Sequence, residues 1–297
     1  MLKVGGEEHA LSRIKGWVWF CCCLGGGWAW PAVAAFEIGA GAHATALGNA
    51  FSAGVESAEA IWFNPAASAR LRLPRVAVTQ GVLFAGLGES PSISSAAGVW
   101  PRNWGVLQAG FSGLRAENWT ESQWLMGYGR VLHPRLALGA QMRTAGWSSG
   151  RYGQRRWLAN IGALYEAGWV SSRAYVRFSA VVANVGRDVS KSARSSGMPE
   201  RLHTLGMQVR NGTRALLLDF GTQGGDWQVR CGYESVLRAE LKLRLGATVL
   251  RGDTVNRTGH VGLGYEWKNV HFDYAFSRSY DLNDFGADHR FGIGYAW

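Results

Sequence analysis

An alternation of apolar and polar residues with a period of two runs through most of the chain, from about residue 75 to the C-terminus. In one segment, Leu241, Leu243 and Leu245 alternate with Lys242 and Arg244. Successive side chains of a β-strand point to opposite faces, so each such segment is predicted to form a strand with one apolar and one polar face. This repeated pattern restricts the chain to an all-β fold.

The alternation predicts fourteen strands, an even number that is typical of bacterial outer-membrane barrels. Their lengths of about 9–13 residues suit strands that cross a membrane at a tilt. We therefore predict a transmembrane antiparallel β-barrel of about 14 strands. The predicted strands lie near residues 75–86, 92–100, 103–115, 121–132, 135–147, 155–167, 172–184, 202–211, 213–221, 226–234, 240–250, 258–268, 270–279 and 288–297.

The predicted connections also alternate between two kinds. One set is short, as at Pro101-Arg102 and Asn211-Gly212, and the other is mostly longer and polar, as at Val185–Arg201 and Tyr280–Ala287. The long set also includes Arg115–Thr120, Ser148–Gln154 and Thr222–Gly225. Outer-membrane barrels have short periplasmic turns and longer external loops. A soluble β-sandwich is the alternative, but it does not require short and long connections to alternate along the chain.

The first 35 residues have the composition of an export signal. Arg13 and Lys15 precede the apolar run Gly16–Trp30, and small residues follow at Ala32–Ala35. This order is typical of a secretory signal peptide, so we predict that residues 1–35 are a signal peptide cleaved after Ala34 or Ala35. A buried N-terminal helix is the alternative. The predicted destination is the bacterial outer membrane.

The formal net charge of +10 raises the possibility of a nucleic-acid partner. The positive charge is nearly all arginine, and the arginines are spaced singly along predicted strands instead of clustering. We therefore predict no nucleic-acid partner. The mature chain would keep Cys231 as its only cysteine, which excludes an internal disulfide.

Residues 36–74 break the alternation and are predicted to form a separate segment, which we call the hatch, before a barrel of residues 75–297. Small residues dominate it, and Asn64-Pro65 marks a turn. It also carries five large apolar side chains, which favour burial inside the barrel over solvation. A tail that only leads into the first strand is the alternative. The five side chains are Leu47, Phe51, Ile61, Trp62 and Phe63.

Two sequence motifs of the hatch resemble the N-terminal motif of the FadL/PorV-type outer-membrane proteins. They are GAHATALGNAFSAG at 41–54 and AEAIWFNPA at 58–66. The chain departs from the family pattern at His43, where Arg is frequent, and at Asn49, where a second Gly is frequent. The resemblance implies a fourteen-stranded barrel with a hatch folded into its lumen. In this chain, the residues that correspond to the family motif are Gly41, Leu47, Gly48, Phe51, Asn64, Pro65 and Ala66.

The C-terminal segments FDYAF at 272–276 and HRFGIGYAW at 289–297 resemble the last hairpin of PorV/PorQ-like members of that family. Phe291, Ile293, Tyr295 and Trp297 share one face of the last predicted strand, and the chain ends on an aromatic residue. This pattern looks like the signal read by the barrel-assembly machinery, which is a predicted partner.

The sequence contains no catalytic constellation, so we predict that the protein is not an enzyme and has no cofactor. No two histidines have metal-ligand spacing on one strand, and neither a nucleophile elbow nor a phosphate loop is present. The glycines of GLGY (262–265) and GIGY (292–295) alternate inside strands, where they are predicted to relieve crowding in the lumen.

Charged residues fall on the predicted inner face of many strands. In one interpretation they pair with one another and with the hatch carboxylates Glu37, Glu56 and Glu59. In the other, the arginines line a path for an anionic ligand such as a fatty-acid carboxylate. The principal inward-facing residues are Arg143, Arg177, Arg230, Arg244 and Asp273.

Two functions are compatible with these features. The favoured one is a plugged barrel of the PorV/PorQ type, which serves protein export or surface attachment and has secretion-system components as partners. The alternative is FadL-like passive transport of hydrophobic or amphipathic small molecules, with a hydrophobic ligand as the partner. In both, outer-membrane lipid surrounds the barrel.

Deletion of Trp297 is expected to lower the amount of folded protein in the outer membrane, because the terminal aromatic residue would no longer be read during assembly. Immunoblots of outer-membrane and periplasmic fractions would measure this, with the exported precursor unchanged. Normal amounts of the truncated protein in the outer membrane would show that Trp297 is not part of the signal.

Overall fold

The computed structural model describes residues 41–86, 88–169, 174–186, 200–252, 254–281 and 286–297. The predicted signal peptide and Glu37 lie outside these residues. The hatch is described from Gly41 onwards.

Fourteen antiparallel strands form a closed barrel, in which each strand pairs with the next and β14 pairs with β1. This confirms the predicted fold class. Closure satisfies the backbone hydrogen bonds of every strand without leaving a free edge. The strands are β1 (Arg75–Val82), β2 (Ser92–Arg102), β3 (Gly105–Ala116), β4 (Trp119–His133), β5 (Leu136–Ser149), β6 (Tyr152–Trp169), β7 (Ala174–Val185), β8 (Leu202–Asn211), β9 (Arg214–Gln223), β10 (Asp226–Val236), β11 (Leu241–Arg251), β12 (Val255–Trp267), β13 (Val270–Ser279) and β14 (Asp288–Ala296).

The two faces of the wall follow the alternation in the sequence. On β5, Met142 is 57% exposed on the outer face, whereas the next residue, Arg143, is 7% exposed and points into the barrel. The apolar outer faces form the surface that lipid would cover, and the polar faces line the lumen. This is the architecture of a bacterial outer-membrane protein. In the part of the chain that the structure describes, no helix is long and apolar enough to cross a membrane.

The connections differ in part from the prediction. On the rim that joins β1 to β2, which we call the loop rim, the gaps at 83–91, 186–201 and 280–287 are long. On the same rim, the gaps between β3 and β4, β5 and β6, and β9 and β10 are only two residues each, so the predicted loops at 115–120, 148–154 and 222–225 are wrong. The strands there extend further than the alternation indicated, and glycines with positive φ, such as Gly150 and Gly224, allow tight turns. The opposite rim, the turn rim, has only short gaps.

The described part of the hatch, from Gly41 onwards, lies inside the barrel and contains three short helices. These are α1 (Ala42–Ala46), a first 3₁₀ helix (Ala58–Trp62) and a second 3₁₀ helix (Ala67–Arg70). Leu47 and Phe51 are buried with Leu164 and Leu217 of the wall. Ile61 is buried in a second cluster on the β1–β4 side of the barrel. The apolar hatch residues thus find partners that a solvated tail would lack.

Met142→Arg is expected to impair insertion, because a charge at the centre of the lipid-facing wall costs about 2–4 kcal/mol. Val255→Arg is the matched control, since Val255 is 44% exposed on the outer face but begins β12 at the loop rim, where the cost falls to about 0–1 kcal/mol. Urea titration of folding into lipid vesicles would measure the difference. Equal losses for the two variants would contradict the assigned lipid-facing band.

Candidate functional site

The candidate site is the contact between the hatch and the inner wall, and inward-facing glycines shape it. A Cβ atom on Gly246 would lie 2.1 Å from the backbone nitrogen of Gly48. A Cβ atom on Gly139 would lie 2.4 Å from the carbonyl carbon of Pro65. Because these neighbours are backbone atoms, the hatch can approach this closely only where the wall has no side chain.

Similar contacts extend around the barrel, which accounts for many of the glycines in the strands. Gly262 of GLGY faces Ala46 and Gly292 of GIGY faces Ala42. The sequence placed these glycines in the lumen but did not identify the hatch backbone as their neighbour. Further glycines against the hatch are Gly110, Gly129, Gly162, Gly206 and Gly232.

The motif residues Gly48 and Asn49 form a left-handed turn after α1. Their φ angles are 65° and 58°, values that glycine adopts freely and asparagine tolerates better than most residues. The departure of this chain from the family pattern at Asn49 is therefore compatible with the same backbone. Gly41 is restricted by a different contact, since its Cβ would lie 1.9 Å from the carboxylate of Glu59.

A buried carboxylate of β9, Asp219, fixes the middle of the hatch. It accepts hydrogen bonds from the backbone N–H groups of Phe51 and Ser52 at 3.1 and 3.0 Å. It also accepts one from the Ser52 hydroxyl at 2.7 Å. Charge-assisted bonds of this kind are about twice as strong as neutral ones. The alternation along β9 is compatible with an inward Asp219, but nothing in the sequence indicates this role.

The Asn64 side chain connects the turn of the hatch to the wall. Its Oδ1 accepts from the backbone N–H of Ala66 at 2.8 Å, which is a local turn bond. Its Nδ2 donates to the carbonyls of Ser52, at 2.8 Å, and Ala163, at 3.2 Å. Asn64, Pro65 and Ala66 are fully buried.

Glu56 joins the hatch to arginines of the wall. Its carboxylate lies 3.3 Å from the Arg177 guanidinium and 3.2 Å from that of Arg210. Burial by itself would raise the pKa of Glu56, but Arg210 and Arg177 reverse the effect and hold that pKa below its usual value. Glu59 behaves differently. Burial raises its pKa, and it accepts a hydrogen bond from the backbone N–H of Ala44 at 3.0 Å.

A second ionic cluster lies beside α1. The buried guanidinium of Arg244 contacts the carboxylates of Asp273 and Glu234, the latter at 2.9 Å. His43 of the hatch lies 3.5 Å from the same Glu234. Arg244 therefore bridges two buried acids. Its loss would leave Asp273 without its closest counter-charge, whereas Glu234 would keep Arg210, at 3.3 Å, and His43.

A third set of contacts is a chain of amides along β3, β5, β6 and β7. Gln108 donates to the carbonyl of Pro65 at 2.7 Å, and Gln141 donates to that of Ile61 at 2.7 Å. Gln141 also donates to Gln108 at 2.8 Å, and Asn160 donates to Gln141 at 3.3 Å. The chain continues because the Asn160 oxygen accepts from the backbone N–H of Asn184 at 3.0 Å.

Asn184 extends this series of hydrogen bonds to the loop rim, at an irregularity in the wall. The register between β6 and β7 shifts near Asn160, and Asn184 has a φ of 62°. Its side chain donates to the carbonyl of Glu200, just before β8, at 2.7 Å and accepts from Arg143. Arg143 donates also to Gln123 at 3.1 Å. A continuous set of hydrogen bonds therefore connects the hatch with the longest loop.

Between the hatch and the loop rim, the inner wall mixes apolar and charged residues. Leu158 neighbours Arg143 in the register, and Trp147 neighbours Glu121. Trp119 stacks on Trp147 with a centroid distance of 4.8 Å and an angle of 7°. Such a lining suits molecules that are apolar or amphipathic.

The structure brings the predicted site residues together unevenly. Arg177 and Arg244 contact carboxylates in the hatch or beside it, whereas Arg143 contacts amides and Arg230 donates to Gln228 at 2.6 Å. Within the described residues, no group of three His, Cys, Asp or Glu side chains is placed to hold a metal ion. The C-terminal aromatics lie on the outer face, with Trp297 donating its backbone N–H to Pro74.

Comparison with known proteins shows similarity of fold. No family model and no curated protein matches the chain. The solved structure of the toluene transporter TbuX from Ralstonia pickettii matches with a TM-score of 0.63 and 12% identity over 88% of this chain and 100% of its own. The toluene transporter TodX from Pseudomonas putida matches at 0.60 and 11% over 87% and 98%. A FadL homologue from Pseudomonas aeruginosa matches at 0.59 and 11% over 87% and 97%.

These neighbours are bacterial barrels, and two of the three are named as transporters. At identities of 11–12%, this likeness is one of fold. The likeness extends over nearly the whole of each neighbour.

Gly246→Ala is expected to loosen the hatch, because the new methyl group would collide with the backbone of Gly48. Limited proteolysis of the folded, heat-modifiable barrel should cleave the hatch faster than in the unmodified protein. Gly88→Ala is the control, since a Cβ atom there meets nothing within 4 Å. Cleavage at an unchanged rate in Gly246→Ala would show that this contact does not hold the hatch.

Arg244→Leu gives a second test of the same site. From the sequence alone, an inward leucine would be well tolerated, but the contacts with Glu234 and Asp273 lead to the opposite expectation. Removing one partner of a buried ion pair costs about 3–5 kcal/mol. The triple variant Arg244→Leu/Glu234→Gln/Asp273→Asn should recover part of the loss in a urea titration. A single variant as stable as the unmodified barrel would contradict the ionic cluster.

Proposed function

We propose that this protein is a FadL-type outer-membrane channel, through which hydrophobic or weakly amphipathic small molecules cross passively once the hatch has moved. The observation that carries the proposal is the full-length fold likeness to proteins named as toluene transporters. We further propose that the chain reaches the outer membrane through the cleaved signal peptide at residues 1–35 and the barrel-assembly machinery.

The charge arrangement supports an apolar cargo. Arg177, Arg210 and Arg244 each contact a carboxylate of the hatch or wall, so their charges are already neutralised. For these three arginines, this favours the interpretation of internal pairing over an arginine-lined path for anions. The apolar part of the lining near the loop rim, with Leu158 and the Trp119–Trp147 stack, remains as the contact surface for cargo.

The chain of amides supports a gated channel. It connects carbonyls of the hatch with Asn184 and then with Glu200 beside the loop between β7 and β8. A molecule that displaces any member of this chain would leave buried polar groups of the hatch without partners, which costs about 1–3 kcal/mol for each group. Arrival of cargo at the loop rim would thus weaken the hold on the hatch.

The sequence favoured a PorV/PorQ-type role in protein export or surface attachment. The solved structures named above give this role no support, and we propose the transport alternative in its place. The hatch motifs resemble the pattern of both branches of the family, so they do not favour export; only the C-terminal hairpin resembles the PorV/PorQ-like members.

The proposal is tested by locking the hatch with disulfides. The Cβ positions of residues 69 and 129 lie 3.2 Å apart, and those of residues 42 and 292 lie 3.1 Å apart, close to the distance in a disulfide. We expect oxidised Ala69→Cys/Gly129→Cys, in a Cys231→Ser background, to slow uptake of toluene by cells whose outer membrane has a lipopolysaccharide leaflet, because a plain phospholipid bilayer is itself permeable to toluene. Reduction should restore it. Oxidised Ala42→Cys/Gly292→Cys should retain more uptake, because that end is held by charged groups and need not move.

A second experiment tests whether the hatch closes the pore. Deletion of residues 36–60 should leave a barrel that inserts and conducts ions in planar bilayers, while the intact protein stays nearly closed. If cells with the intact protein take up toluene no faster than cells without it, and neither lock changes the rate, the transport proposal is wrong.

A further inference from the structure

The outer wall near the loop rim carries polar residues in two neighbouring rows of the sheet. In the lower row, Ser122, Gly146 and Arg155 are register neighbours on β4, β5 and β6. In the row above, Arg115, Thr120 and Ser148 are register neighbours on β3, β4 and β5. We call the five side chains Arg115, Thr120, Ser122, Ser148 and Arg155 the arginine shelf.

The Arg155 side chain lies along the wall instead of extending away from it. Its guanidinium crosses β5 and donates to the Ser122 hydroxyl on β4 at 3.1 Å. Gly146, beneath it, makes this possible, because a Cβ atom there would lie 3.1 Å from the Arg155 Nε. The charge is thereby held over β4 and β5, one strand from Arg115 and one row below it.

An aromatic row lies directly below the shelf, toward the middle of the membrane. Phe111, Trp124, Thr144 and Trp157 are register neighbours across β3 to β6. The rings of Phe111 and Trp124 are 4.5 Å apart, and Trp124 and Trp157 are 54% and 63% exposed. Exposed tryptophans concentrate at the boundary between headgroups and acyl chains, so this row places the shelf at headgroup height.

We propose that the arginine shelf binds the phosphate group of a membrane lipid whose acyl chains lie on the aromatic row. Arginine is suited to phosphate because its planar guanidinium donates two parallel hydrogen bonds. The serine and threonine hydroxyls offer further donors beside it. The loop rim corresponds to the external side of outer-membrane barrels, so the lipid is a phosphorylated lipid of the outer leaflet.

Charge and position favour a lipid over other occupants. The two polar rows and the aromatic row contain two arginines and no acidic residue. A free phosphate ion would contact the shelf alone and make no use of the exposed aromatic row. The adjoining wall is the lipid-facing side of the barrel, where a soluble partner has no access.

The test uses bis-phosphorylated lipid A in mixed detergent micelles as the probe and native mass spectrometry of the full protein as the readout. Arg155→Met should weaken binding about tenfold or more, because a charge-assisted hydrogen bond is lost. Arg130→Met is the matched control, since Arg130 is an exposed arginine on the outer face of β4 near the turn rim. The Arg130→Met variant should bind lipid A as tightly as the unmodified protein does.

Two further arms separate charge from geometry and lipid from free phosphate. Gly146→Val keeps both arginines but displaces the Arg155 side chain, so it should also weaken binding. Lipid A without phosphates should bind the unmodified protein no better than bis-phosphorylated lipid A binds Arg155→Met. Excess inorganic phosphate should not compete with bis-phosphorylated lipid A for the unmodified protein. Equal losses in Arg155→Met and Arg130→Met, unchanged binding in Arg155→Met, or full competition by inorganic phosphate would each overturn the proposal. Heat-modifiable migration of every variant verifies that the barrel is folded.

Discussion

The architecture of this protein depends on pairing every backbone polar group, because the interior of a membrane contains no water. A sheet satisfies this requirement only by closing, and β14 pairs with β1 along eight residue pairs to complete the barrel. Closure in turn creates an interior that half of all strand residues must face. Because alternate side chains point inward, the wall brings charges such as Arg244 and Asp219 into a confined space where each needs a partner.

The hatch provides many of those partners, and its sequence is adapted to reaching them. Its backbone N–H groups satisfy Asp219, its carbonyls satisfy Gln108 and Gln141, and Glu56 satisfies Arg177 and Arg210. These bonds require a close approach of two backbones, which the wall glycines permit. The small residues of the hatch and the glycines of the strands are therefore complementary, because both are needed for the two backbones to approach each other closely.

The sequence predicted the fourteen strands and their inward and outward faces because a two-residue period is a local property. It predicted the loops less well, since nothing local shows where β5 and β6 stop, and Gly150 can serve a long loop or a tight turn. It did not predict which inward residues meet. Asp219 and Ser52 are 167 positions apart, and only closure of the barrel brings them together. For the same reason, the sequence alone leads to an expectation of tolerance for Arg244→Leu that the observed ion pairs reverse, since a polar face does not reveal which charges pair.

The strength of the hatch contacts differs along its length, and this difference determines where an opening can form. Residues 43–56 are held mainly by charged groups, through His43 and Glu234, Asp219, and Glu56 with its two arginines. The stretch from Ile61 to Pro65 is held by neutral amides, whose bonds contribute about 0.5–1.5 kcal/mol each against about 1.5–3 kcal/mol for charged ones. It also lies beside β3–β6, next to the apolar lining and to the register shift between β6 and β7 near Asn160. In the channel that we propose, release of that stretch leaves no buried charge without a partner, so the passage should open on this side while the first half of the hatch stays in place.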